Sequence, residues 1–272
     1  MTEPAKRLFD LSGRVAIITG GAGVLGREHA ESVTEFGGVA VIADIRSEDS
    51  EKVASAINAV RPGQAMAIPV DITDRASVDE MVRRVIERFS RIDILINNAA
   101  FTVRHGQAVG KGYFTPFEEY PLELWEMALR TNLTGMFLCT QSVGRIMVQQ
   151  RRGVVLNVAS DLSLISPDHR IYEGETFNTP ISYVVSKTGV LGFTRYLATY
   201  WAKHNIRVNA ISPAGVFDGH SPTFVQRLSS LIPLGRMAAR DEYRGAVLFL
   251  VSDASSFMTG GNLVVDGGRT SW

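Results

Sequence analysis

Tyr183 and Lys187 stand four positions apart in Tyr183-Val184-Val185-Ser186-Lys187, which puts a phenol and an ammonium on one face of a helix. Both groups carry exchangeable protons, so together they form a candidate proton-handling pair. Thr179 is expected to cap that helix, and Pro180 suits its first turn. Taken alone, the spacing is common by chance and reads equally well as a solvated surface pair. Its company gives it meaning. Leu156-Asn157-Val158-Ala159-Ser160 ends a predicted strand on a hydroxyl, and Asn132 interrupts an otherwise apolar helical stretch at 131–138.

A second constellation points to phosphate. A predicted strand at 15–19 runs into Thr19-Gly20-Gly21-Ala22-Gly23-Val24-Leu25-Gly26, which contains G-x-G-x-x-G as Gly21, Gly23 and Gly26. Glycines there allow a tight turn, close backbone approach to a pyrophosphate and close helix–strand packing. The helix that follows aims its unpaired N–H groups and positive dipole end at the phosphates. Asp44 lies at the tip of the next strand, where a carboxylate accepts from ribose hydroxyls and repels a 2′-phosphate. The expected cofactor is therefore NAD, with NADP disfavoured, although Arg46 softens the preference. The alternative is that Asp44 starts a turn and the glycines serve packing alone.

The elements that position these groups alternate. Short apolar runs at 15–19, 39–43, 65–70, 92–96, 154–158, 207–211 and 262–265 read as strands, with helical patterns between them, notably 77–89, 122–150, 180–203 and 241–252. Alternating βα units predict an α/β fold: one doubly wound, Rossmann-type parallel sheet of seven strands with helices on both faces. We expect a single domain with a dinucleotide-binding half over 1–150 and a catalytic and lid half over 151–272. Irregular stretches at 101–121, 162–178 and 216–236 each follow a strand. They fall on the carboxyl edge of the sheet, where such folds bind ligands.

The chain has 272 residues, with 28 Lys plus Arg against 28 Asp plus Glu, so no overall basic field attracts nucleic acid or an anionic membrane. Its only cysteine, Cys139, sits in an apolar run and reads as an inert buried thiol. No Cys/His cluster has zinc spacing, so no metal is expected. No apolar stretch approaches the ~20 residues that span a bilayer, and the charged stretch 1–13 is unlike a signal peptide. The expectation is a cytoplasmic protein.

Together, Thr19–Gly26, Asp44, Asp71-Ile72, Asn97-Asn98-Ala99, Asn132, Ser160, Tyr183/Lys187, Pro213 and Val265-Asp266-Gly267-Gly268 resemble the short-chain dehydrogenase/reductase family across nearly the whole chain. The resemblance implies NAD(P)-linked interconversion of a secondary alcohol and a ketone. Tyr183 would be the general acid/base. Lys187 would favour the phenolate and hold the nicotinamide ribose, Ser160 would orient the substrate oxygen, and Asn132 would hold a water linking Lys187 to solvent. A free phenol titrates near ~10, so Tyr183 needs the help of positive neighbours to act as a base at neutral pH. Gly20, Gly23, Val24, Leu25, Gly26, Asp44 and Ile45 would contact the adenosine and pyrophosphate. Asp71 and Ile72 would flank the adenine, Asn98, Ala99 and Ala100 would line the channel, and Pro213, Gly215 and Val216 would meet the nicotinamide end.

The sequence departs from the family pattern in places. Val24 stands where a glycine is usual and Gly23 precedes it, an arrangement matching longer relatives that act on nucleotide sugars. Ala100 and Ala214 replace usual glycines, and Asp218 stands where a threonine often contacts the cofactor. The interval from Ser160 to Tyr183 is longer than usual, so the intervening loop must bulge over the pocket.

Segments 170–174, 196–200, 212–218 and 233–237 are similar to bacterial dehydrogenases of flagellin-modification and sialic-acid-like sugar pathways. That branch implies a polar, hydroxylated small-molecule substrate, with Arg170, Tyr172 and Asp218 as candidate contacts. Arg104, His105, Lys111, His169 and Arg170 lie on candidate lid loops, to meet an anion or simply to face solvent. Alternatives to a sugar dehydrogenase are a gluconate or acyl-thioester reductase, a sugar epimerase or dehydratase that retains its cofactor, and a non-catalytic dinucleotide sensor. The helices at 122–150 and 180–203, with Tyr196, Tyr200 and Trp201, carry surplus apolar surface, so a homodimer or homotetramer is expected unless that surface packs internally.

Overall fold

The computed structural model describes residues 4–102, 112–175 and 177–272. Arg104, His105 and Lys111 lie outside the described residues. Seven strands, β1 (Val15–Thr19), β2 (Val39–Asp44), β3 (Ala65–Pro69), β4 (Ile94–Asn97), β5 (Gly153–Val158), β6 (Ile206–Pro213) and β7 (Asn262–Val265), form one parallel sheet in the order β3-β2-β1-β4-β5-β6-β7. Eight helices connect them among the described residues: α1 (Val24–Glu35), α2 (Ser47–Val60), α3 (Arg75–Phe89), α4 (Leu122–Leu129), α5 (Met136–Gln150), α6 (Ile181–Trp201), α7 (Pro222–Ser230) and α8 (Arg244–Val251).

Strand alternation divides the core. Val15, Ile17, Val41 and Leu95 face α3, α5 and α6, while Ala16, Ile18, Ile42 and Ile96 face α1, α2 and α8. Burial on both faces explains why the central strands read as unbroken apolar runs. Cys139 is fully buried in the first layer. The strand order reverses between β1 and β4, where Thr19 pairs with Asn97, and this switch point opens the crevice at the carboxyl edge.

Three expectations change. The helix expected over 122–150 is broken by a π-helical stretch, Arg130–Gly135, and Asn132 sits in it. Such single turns re-aim side chains at the cost of regular hydrogen bonds. The stretch 216–236 is not irregular throughout, because it contains α7. Ser221 caps α7 by accepting from the Phe224 amide at 3.2 Å, Pro222 occupies its first turn, and Phe224 and Leu228 face inward one turn apart. Finally, Thr179 does not cap α6. Pro180 stands at the cap position, and the Thr179 hydroxyl instead bonds the Tyr172 hydroxyl.

Trp201 belongs to the core. Its ring lies where a Cβ on Gly144 would be, at 2.5 Å, so the two helices approach closely there. Tyr196 and Tyr200 stack outside, 5.8 Å apart and exposed. No helix among the described residues is long and apolar enough to cross a membrane.

Candidate active site

The crevice is a cleft of about 690 Å³, within the size range of small-molecule sites. At one end, Gly20 turns the chain out of β1 with φ +62°, and a Cβ there would lie 2.8 Å from the Ala99 Cα. Only glycine permits that turn and that approach together. Gly20 is thus the turning glycine, ahead of the three in G-x-G-x-x-G. Gly26 does not line the cleft; a Cβ on it would meet the Gly20 carbonyl oxygen at 2.2 Å, so it serves helix-to-loop packing. The cap residue of α1, Gly23, supplies no side-chain acceptor, which leaves the first-turn amides of Val24 and Leu25 facing the cleft they line.

Asp44 ends β2 buried, its Oδ2 accepting from the Ala22 amide at 3.0 Å and its Oδ1 from the Arg46 amide at 3.0 Å. The carboxylate therefore ties the glycine loop to the tip of β2. Ile45 projects from the rim, and Arg46 bridges Asp44 and Asp49. Asp71, Ile72, Asn98, Ala99, Ala100, Pro213, Gly215 and Val216 line the same cleft. Asn98 Nδ2 donates to the carbonyls of Thr19 and Gly20 at 3.1 and 3.0 Å, pinning the loop after β4 to the cradle. Ala100 and Ala214 are absent from the positive-φ residues, so neither position requires the glycine usual there. An uncapped helix end, a close-approach glycine and a buried carboxylate across the cleft fit a dinucleotide.

At the other end, Ser160 follows β5 while Tyr183 and Lys187 project from α6. The Tyr183 phenol and the Ser160 hydroxyl line the same end of the cleft, near enough for Ser160 to act on the phenol. Burial pushes the phenol up to about 12, the nearby Ser160 hydroxyl pulls it back, and Asp161 and Tyr172 push it up further. Lys187 Nζ donates to the Val158 carbonyl at 2.6 Å and sits 5.8 Å from the Tyr183 ring centre. Burial pulls its ammonium down to about 8.

Asn132 lies behind this group rather than in the cleft wall. Its Oδ1 accepts from the Phe101 amide at 2.6 Å and its Nδ2 donates to Ser186 Oγ at 2.9 Å. The π-helical turn thereby links the loop after β4 to the helix carrying Tyr183. A buried ladder fixes the same helix from the sheet side: Asn97 Nδ2 donates to Thr140 and Asn157, each at 2.8 Å, and Asn157 donates to Thr194 at 2.9 Å. These bonds tie α5 and α6 to the sheet, while the buried Asn97 Oδ1 is left without a hydrogen-bond partner.

Of the three substrate candidates, Tyr172 and Asp218 line the cleft and Arg170 does not. Arg170 faces solvent and pairs with Asp168 at 2.6 Å, because the short turn His169–Tyr172 buries Ile171 and turns the charged residues outward. His169 is likewise exposed. Asp218 pairs with Arg240 at 2.6 Å. The long interval between Ser160 and Tyr183 packs on α7: Tyr172 stacks on Phe224 at 5.6 Å, and Ile171 joins Phe224, Leu228 and Met237. Sequence reasoning missed Asp161, His220, Phe224, Leu228, Met237 and Arg269, all of which line the cleft. Asp161 adjoins Ser160 and α7 carried its cap signal; nothing local marks Arg269.

Comparison with known proteins agrees with this geometry. The family model described as enoyl-(acyl carrier protein) reductase matches residues 20–270. The chain is 34% identical to an NAD-dependent glycerol dehydrogenase of Listeria innocua, over 96% of each chain. It is 35% identical to a D-threitol dehydrogenase of Mycolicibacterium smegmatis, over 96% of this chain and 95% of that one. A crystal structure of an NAD⁺-bound xylitol dehydrogenase superposes with TM-score 0.83 at 29% identity, covering 95% of this chain and 99% of that one. With a fold, a cleft and relatives that agree over almost its full length, the chain belongs to the short-chain dehydrogenase/reductase family and is an oxidoreductase acting on CH–OH groups.

Proposed function

We propose that the protein oxidises a secondary alcohol of a polyol or sugar-derived substrate to a ketone with NAD, and runs the reverse reaction when the ketone and reduced cofactor are supplied. The observation that carries this reading is that Tyr183, Ser160 and Lys187 line one end of the same cleft, with Lys187 Nζ 5.8 Å from the Tyr183 ring centre.

A bound dinucleotide would supply the hydride acceptor for the substrate carbon. Tyr183 takes the alcohol proton, Ser160 holds the substrate oxygen, and Lys187 favours the phenolate and holds a ribose hydroxyl. Asn132 keeps the helix carrying them in register and holds a water leading from Lys187 to solvent. Gly20, Gly23, Val24, Leu25, Asp44, Ile45, Asp71, Ile72, Asn98, Ala99 and Ala100 hold the adenosine and pyrophosphate, with Gly26 supporting the turn. Pro213, Gly215 and Val216 flank the nicotinamide end. NAD is preferred because the buried Asp44 carboxylate repels a 2′-phosphate, while Arg46 is already engaged by Asp44 and Asp49.

A polyol is favoured by the names of the relatives and by the polar residues Asp161, Tyr172, Asp218, His220 and Arg269 on the cleft wall. An amino sugar of the sialic-acid-like branch is the finer alternative; Arg170, which suggested it, faces solvent. Exposed Leu122, Met127, Val185, Tyr196 and Tyr200 on α4 and α6 support a homodimer or homotetramer formed through these helices.

The test is NADH formation with a panel of polyols, sugar acids, amino sugars and acyl thioesters. We expect turnover with a polyol and its loss, by about 10² or more, in Tyr183→Phe with NADH binding retained. Turnover confined to acyl thioesters would reject the substrate class. Near-normal turnover in Tyr183→Phe would reject the role of the phenol.

A further inference from the structure

The cleft wall beside Ser160 carries a buried ion pair that the dehydrogenase chemistry has not used. Asp161 directly follows Ser160 and is 2% exposed; Arg269, in the short turn Arg269–Ser271 after β7, is 7% exposed. Arg269 Nη1 donates to Asp161 Oδ2 at 2.7 Å. The other carboxylate oxygen, Oδ1, accepts from Ser160 Oγ at 2.9 Å and from the Leu162 amide at 2.8 Å.

Donor direction follows from the groups present. An ionised carboxylate only accepts, so the Ser160 hydroxyl donates to Asp161 until a substrate oxygen takes that proton in its place. A directed chain therefore runs from Ser160 to Asp161, with Arg269 donating from the far side and the Tyr183 phenol lining the same cleft. Its last member is delivered by a turn built for the purpose. Asp266 accepts from the Gly268 and Thr270 amides at 2.9 and 2.7 Å, and Gly267 and Gly268 take φ of +65° and +90°. Breaking one partner of a buried pair leaves an uncompensated charge, so neither residue is a casual occupant.

We propose that Asp161 and Arg269 are a positioning pair for the reacting hydroxyls, in which Asp161 orients Ser160 and Arg269 cancels the carboxylate charge that Tyr183 would otherwise meet. The inference rests on Tyr183 acting as the proton acceptor. Among the described residues, the ionisable groups facing the phenol are Asp161 after β5, Tyr172 on the loop before α6, Tyr113 after β4 and Lys187 on α6 itself, with Arg269 acting through Asp161 and Tyr172. Asp161 disfavours the phenolate, so the sign of each substitution is set.

The experiment is an ultraviolet tyrosinate titration of the NAD complex, with Tyr183→Phe as the baseline, alongside the pH profile of NAD reduction by a polyol such as threitol. Arg269→Gln is expected to raise the Tyr183 midpoint by about one unit and Asp161→Asn to lower it by a similar amount. The neutral double variant D161N/R269Q should shift less than either, and Arg269→Lys should restore most of the wild-type midpoint. The double variant also keeps the test open if Arg269→Gln alone fails to fold. A Tyr183 transition that stays put, or moves the same way in both single variants, overturns the pair's role while leaving the phenol's intact. The titration consumes no substrate, so a wrong substrate class leaves its result standing. A titration in which Tyr183→Phe removes no transition overturns both readings together.

Discussion

Gly20 and Ala99 approach so closely that a single added carbon on Gly20 would come within 2.8 Å of the Ala99 Cα. The contact joins the ends of β1 and β4, the two strands at which the sheet order reverses, and so sets the width of the crevice where the dinucleotide fits. Because Gly20 also sits at φ +62°, Gly20→Ala suffers twice. We expect a loss of about 1–3 kcal/mol in stability and of most NADH affinity, read by thermal melting and by NADH fluorescence titration. Full NADH affinity in this variant would show that the turn is not the cradle.

Asp44 controls a different property. Asp44→Ala removes the acceptor for the Ala22 and Arg46 amides and frees Arg46. NAD affinity should fall by about tenfold or more, equivalent to about 1.4 kcal/mol, while NADP use rises. Steady-state KM values for both cofactors decide it; a wild-type preference for NADP would falsify the account.

Lys187 gives a pH signature in stability. Its ammonium is pulled from 10.5 to about 8 by burial, so between those values the unfolded chain binds the proton that the folded protein has shed. Stability therefore rises with pH across that window, by on the order of 3 kcal/mol from this group. Tyr183 acts in the opposite sense: its phenol is pushed from 10.0 to about 12, so above pH 10 the unfolded chain loses a proton first and stability falls. Lys187→Met should flatten the rise between pH 8 and 10.5, and Tyr183→Phe should soften the fall above pH 10. Denaturant midpoints measured across the range test both, and an unchanged slope in Lys187→Met counts against a buried ammonium.

Tyr172 couples the long loop before α6 to both α6 and α7, through its bond to Thr179 and its stacking on Phe224. Tyr172→Phe keeps the stacking and loses the bond, so we expect a modest rise in polyol KM with NADH binding unchanged. Phe224→Ala should cost about 3–5 kcal/mol, since it empties the centre of the small cluster of Ile171, Leu228, Ile232 and Met237. Equal effects of Tyr172→Phe on cofactor and polyol binding would place the loop elsewhere in the cycle.

The amino-acid sequence alone determined the architecture and the class of reaction. The central strands, buried on both faces, leave unbroken apolar runs, and all seven strands were legible to within a residue or two at their ends. Tyr183, Lys187, Ser160 and Asp44 could be read because each is tied to a neighbour a few positions away, by one helical turn or by the end of a strand. Tertiary structure decided what depends on distant segments. The Asp161–Arg269 pair joins residues from the ends of β5 and β7, and Arg170 points outward because Ile171 is buried under α7. Gly20 is the turning glycine because of Ala99 in the loop after β4, and Thr179 abandons its cap for Tyr172. Local periodicity reports which face of an element is apolar; it holds no information about which distant side chain arrives opposite it.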